Sequence, residues 1–79
     1  MRKDKSTSGE AQRRRILEAL RLHPRNTYEL RRMGCFQAPT RILELRRAGY
    51  RIRTSRVVVV DADGYRHGNV ALYSLHGEA

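Results

Sequence analysis

Apolar positions recur at helical spacing as far as Gly49 and at alternating spacing beyond it, so the chain divides into a helical part and a strand part. Ile16, Leu17 and Leu20 fall at i, i+1 and i+4 and define one apolar helix face. Thr7 and Glu10 carry the spacing of a capping box, which predicts a helix start near Ser8 or Gly9. Pro24 ends this helix, because the residue ahead of a proline is driven out of the helical region. Asn26 and Glu29 form a second capping-box pair, with Thr27 an equally good cap, and Leu30 and Met33 face inward from the short helix that follows. Gly34 closes it through a left-handed turn, and Cys35 and Phe36 make a tight connection. A third helix opens around Gln37 and tolerates Pro39 in its first turn. Ala38, Ile42, Leu45 and Ala48 are its expected buried stripe, and Gly49 stops it.

From Tyr50 to Val60 the residues are rich in Ile, Thr, Val and Tyr, with Ile52, Val58 and Val60 on one parity, which predicts a strand. Asp61, Ala62, Asp63 and Gly64 give a turn, with Gly64 supplying a positive φ. Val70 to Leu75 is the expected return strand, with Ala71, Tyr73 and Leu75 on one face. Residues 1–8 have no apolar side chain after Met1 and read as a flexible basic arm. The folded domain is expected over 9–75, with 76–79 a short polar tail.

At 79 residues the chain has room for one small core. It carries 17 Lys+Arg against 8 Asp+Glu, a formal net charge of +9, and arginine dominates the basic residues. The charge is unevenly placed. Residues 1–35 hold ten basic and four acidic side chains, 36–56 hold six and one, and 57–79 hold one and three. A field of this sign and size draws polyanions, and arginine is well shaped for bidentate bonding to phosphate and guanine edges. The plain alternative is that the charge keeps a small domain soluble. No apolar run approaches the roughly 18 residues of a membrane span, and the basic N-terminus lacks the apolar stretch of a signal peptide. One cysteine excludes an internal disulfide and a four-thiolate zinc site. A soluble, cytoplasmic, basic module is expected.

The order helix, short helix, tight turn, third helix and hairpin is that of a winged helix-turn-helix, and the local residues resemble that family. Thr27 to Leu30 looks like the start of the first motif helix, and Met33, Gly34 and Cys35 resemble the turn. Residues 41–52, Arg-Ile-Leu-Glu-Leu-Arg-Arg-Ala-Gly-Tyr-Arg-Ile, are similar to the R-I-x-E-L-R-x-x-G-x-x-I signature of a small family of bacterial and prophage proteins. The likeness spans roughly residues 10–75. It implies an α+β fold, three helices followed by a two-stranded β-hairpin wing, and a DNA-binding protein such as a small transcriptional regulator with its third helix in the major groove.

The inward stripe of the third helix turns Gln37, Thr40, Arg41, Glu44 and Arg47 outward. Gln37, Thr40 and Arg41 stand at its N-terminal end, where such helices reach bases, and Arg47 is placed for a phosphate. Two readings of Arg41 stand side by side, a bidentate bond to guanine or an i,i+3 ion pair with Glu44. Arg51, Arg53 and Arg56 of the following strand and Arg66 of the hairpin are further candidate DNA contacts. Asp61 and Asp63 in the same hairpin repel phosphate. His23, His67 and His76 do not stand at metal-ligand spacing from Cys35, so no metal is expected. Nor do a nucleophile motif, a phosphate loop or a cofactor motif appear, so no enzyme is expected. The expected partner is double-stranded DNA, with a homodimer or partner protein in addition and neither membrane nor small-molecule substrate. Two other readings remain open. A protein-interaction module would use Val57 and Val59 as an exposed edge, and an RNA or architectural DNA binder would respond to shape rather than base sequence.

Overall fold

The computed structural model describes residues 6–78, so Arg2, Lys3 and Lys5 of the expected basic arm lie outside the described residues. Helix α1 spans Gly9–Leu22, strand β1 Arg25–Asn26, helix α2 Thr27–Arg32, helix α3 Ala38–Arg47, strand β2 Arg51–Val60 and strand β3 Arg66–Gly77. The strands form one antiparallel sheet in the order β1-β3-β2. The hairpin is therefore joined by a third strand that the sequence pattern did not predict. Its two residues are too few to show an alternation, and they pair with Tyr73 and Leu72 in the extended stretch that Pro24 begins.

Local chemistry sets the helix ends. The Ser8 side chain caps α1 by accepting from the Ala11 amide at 3.2 Å, one residue later than the predicted Thr7–Glu10 box. The carbonyl of Thr7 instead accepts from the Gln12 side chain at 2.6 Å. Asn26 caps α2 as predicted: its side chain accepts from the Glu29 amide at 2.9 Å while Glu29 accepts from the Asn26 amide at 3.0 Å. α2 and α3 end alike. Gly34 and Gly49 have φ of 84° and 106°, and Cys35 and Tyr50 donate back to Leu30 and Leu45 at 2.9 and 3.1 Å. Each is a Schellman closure, which a side chain at the glycine would strain.

Ile16 and Leu20 of α1, Leu30 of α2, Cys35, and Ala38, Ile42 and Leu45 of α3 meet Ile52, Ala71 and Tyr73 of the sheet in one core. Burial of the Cys35 thiol pushes its pKa up, and this side chain is a small packed hydrophobe. Ala48 is exposed rather than buried, because α3 already ends at Arg47.

Ile52, Val58 and Val60 share one parity but not one burial, because toward the hairpin tip that face runs past the core. Val58 and Val60 are exposed while Val57 and Val59 are half-buried. The pairing register shifts between Val57 and Val59, where β3 takes three steps from Val70 to His67 against two in β2. The extra residue therefore lies in β3, beside Asn69 at φ 58°, and β2 keeps its own alternation. The return strand is also longer than predicted and takes His76 and Gly77 into the sheet. The tip turn follows the sequence: Asp61 accepts through Oδ1 from the amides of Asp63 and Tyr65 at 2.9 and 3.0 Å, and Gly64 has φ 88°.

Candidate nucleic-acid interface

Helix α3 is held by its core stripe of Ala38, Ile42 and Leu45, which turns Thr40, Leu43 and Arg47 to the opposite side. Thr40 and Arg47 are exposed, and Leu43 is 45% exposed. Gln37 is the N-cap residue and also exposed; its side chain makes no capping bond. At the N-terminal end of α3 its amide therefore projects free of the helix. Pro39, which lacks the amide hydrogen that a later position would need, opens the first turn.

Arg41 and Glu44 do not face outward as the helical wheel predicted. Glu44 Oε1 accepts from Arg13 of α1 at 2.9 Å and lies 3.3 Å from Arg41 Nη1. The Arg41 side chain is only 15% exposed, and its guanidinium occupies the space over Gly9 that a Cβ there would fill. The physical reason is azimuth. Both residues flank the core stripe on the side of α1, and the carboxylate gathers two cations across the helix pair. Of the two readings of Arg41, the structure places it in the ion pair.

Arg46 was not singled out by the sequence. It donates to the Ile52 carbonyl at 2.8 Å and to the Thr54 hydroxyl at 2.7 Å, fixing the end of α3 to β2. On the hairpin side, directly paired residues share a sheet face. Arg56, opposite Ala71, lies on the face that packs on the helices, whereas Arg53, opposite Ser74, lies on the other face. Arg51 rests its aliphatic stem against Gly77.

Arg56 and Arg66 line an open groove of about 700 Å³ together with Arg31 and Tyr28 of α2, Pro39 of α3 and His67. The groove thus opens beside the N-terminal end of α3. The hairpin wall is tied to α2 at two points. The Thr27 hydroxyl donates to the Ala71 carbonyl at 3.4 Å, and the Tyr28 and His67 rings lie with centroids 5.1 Å apart. His67 Nε2 in turn sits 2.8 Å from Asp61 Oδ2. That bond and the two backbone amides hold the Asp61 carboxyl below its ordinary value.

The arginines sort by partner. Arg13, Arg14, Arg21, Arg25 and Arg41 are ion-paired to Glu44, Glu10, Glu78, Glu29 and Glu44 respectively. Arg31, Arg32, Arg46, Arg47, Arg51, Arg53, Arg56 and Arg66 make no ion pair among the described residues, Arg46 being hydrogen-bonded to β2 instead. Four of these, Arg31, Arg47, Arg56 and Arg66, stand on the exposed side of α3 or in the groove next to it. Sequence reasoning missed Arg31, since a charge on a six-residue helix has no pattern to mark it. No group of three or more His, Cys, Asp and Glu able to hold a metal occurs among the described residues. None of the described helices is long and apolar enough to cross a membrane.

Three helices closed by an antiparallel sheet whose long hairpin stands beside the third helix define a winged helix-turn-helix, a DNA-binding fold rather than an enzyme fold. The chain belongs to the winged helix-turn-helix domain family, whose match covers residues 11–78. No curated protein and no solved structure matches it.

Proposed function

We propose that this domain binds duplex DNA as a small transcriptional regulator, with the exposed face of α3 in the major groove. Gln37 and Thr40 meet base edges from the N-terminal end of the helix, and Arg47 reaches a base edge or the adjoining phosphate. Arg31, Arg56 and Arg66 hold the backbone where the groove meets the helix. Arg51 and Arg53 add to the long-range field from the far side of the sheet. Glu44 and Arg41 orient α3 rather than touch DNA.

One observation carries this reading: the unpaired arginines of the groove and the exposed polar end of α3 adjoin, while carboxylates neutralise arginines along α1. The test is a titration of amide chemical shifts with a duplex of arbitrary sequence, repeated at raised salt. Shifts confined to residues 31, 37–47, 56 and 66–68 that fade as salt rises are expected. Absence of duplex binding at low salt would sink the proposal. Exposed Val58, Val60 and Tyr65 beside Asp61 and Asp63 favour a second reading, in which the hairpin tip docks on a protein. Shifts restricted to 57–65 on addition of a partner, with none from DNA, would favour it.

A further inference from the structure

Leu43 sits in the middle of the exposed face of α3, 45% exposed, with Thr40 one turn before it and Arg47 one turn after it. It belongs neither to the core nor to the partly buried apolar residues packed on it. A single exposed leucine is common on protein surfaces and by itself means little. Here its neighbours limit what can cover it. The same face ends in Arg47, the adjoining groove holds Arg31, Arg56 and Arg66, and Glu44, the nearest carboxylate on the helix, is held by Arg13 and Arg41. The occupant must therefore be anionic around its edge and offer an isolated apolar group in its centre. The major groove meets that description, because among its base-pair edges thymine presents a C5-methyl group between hydrogen-bonding atoms.

We infer that Leu43 is a specificity-determining residue that packs on the C5-methyl of a thymine. The inference rests on the DNA-binding reading above and deepens it, assigning one apolar base preference to the centre of α3 between polar contacts from Thr40 and Arg47. Substitution is safe for the fold, since Leu43→Ala removes exposed surface and leaves a strong helix former.

The experiment starts from the tightest duplex that the full chain recovers from a randomised library. Each thymine of that duplex is then replaced singly by deoxyuridine, which lacks only the methyl group. Wild-type protein is expected to lose about fourfold in affinity at one thymine, the worth of one buried methyl group. Leu43→Ala is expected to bind the parent duplex more weakly and to be indifferent to that replacement. A Phe36→Ala variant, altered at the exposed aromatic residue of the preceding turn, should keep the wild-type response. Tight binding with a flat deoxyuridine scan overturns the inference and leaves DNA binding intact. Sensitivity that disappears in Phe36→Ala but persists in Leu43→Ala overturns it in favour of the turn. Recovery of no preferred sequence overturns base reading altogether, and absence of duplex binding overturns the functional reading as well.

Discussion

Replacing Arg66 and Arg21 separately by alanine lowers the net charge equally, yet the two side chains stand in opposite states. Arg66 lines the groove and is unpaired among the described residues, whereas Arg21 is bonded to Glu78 at 2.5 and 2.9 Å. If Arg31, Arg47, Arg56 and Arg66 each neutralise one phosphate, counterion release gives a slope of log affinity against log salt of about −3.6. Between 50 and 200 mM salt, affinity should then fall about 150-fold. Arg66→Ala should reduce the slope to about −2.7 and the fall to about 40-fold. Arg21→Ala should leave the slope near its wild-type value, since that guanidinium is already committed to a carboxylate. Fluorescence anisotropy of a labelled duplex across four or more salt concentrations measures all three slopes. Equal slopes for the two variants would refute the reasoning, for binding would then follow net charge and not where the unpaired arginines stand.

Glu44→Ala leaves Arg41 largely buried without its carboxylate and unties α1 from α3, so urea unfolding should show a loss of about 1–2 kcal/mol with little change in the salt slope. Asn26→Ala removes the side-chain acceptor for the Glu29 amide and should cost about 1 kcal/mol in the same assay. Asp61 accepts from His67, Tyr65 and Asp63, which lowers its pKa below that of an unfolded carboxyl. A depressed carboxyl stabilises the fold above its unfolded pKa of about 3.9, and that contribution is lost as pH falls through the lower folded value. Thermal unfolding across acid pH should therefore show a shallower decline in Asp61→Asn than in wild type.

The elements with strong local chemistry were legible in the sequence. The Asn26–Glu29 box and Pro39 restrict the backbone at helix starts, Gly34 and Gly49 enter the left-handed turn that other residues resist, and the helix boundaries follow them closely. Alternation in β2 was legible, but which face is covered near the hairpin tip was not, since the core ends before Val58 and the register shift there comes from an extra residue in β3. β1 was invisible for a related reason. Two residues become a strand only because β3 runs beside them. The core positions of α3 were legible from spacing except at Ala48, where the stripe outlasts the helix that carries it.

The outward face of α3 was half legible, and the cause is electrostatic. A helical wheel gives each side chain an azimuth but not a partner, and in a chain this basic the partners decide which arginines are available. Carboxylates are the scarce component: Glu10, Glu29, Glu44 and Glu78 bind arginines on or beside α1, and Asp61 is turned back on His67. Arg41 is withdrawn because Glu44 and the open space over Gly9 lie within its reach; Arg47, further along the helix, meets no carboxylate among the described residues. The groove beside α3 keeps its positive charge because Arg31, Arg56 and Arg66 line it without a carboxylate partner among the described residues. The net charge of +9 is thus the weaker guide to an anionic partner. The stronger one is the order in which a few carboxylates are spent on α1 and its surroundings, leaving unsatisfied donors gathered at the polar end of α3 and the adjoining groove wall, where a concave site and an exposed helix end meet.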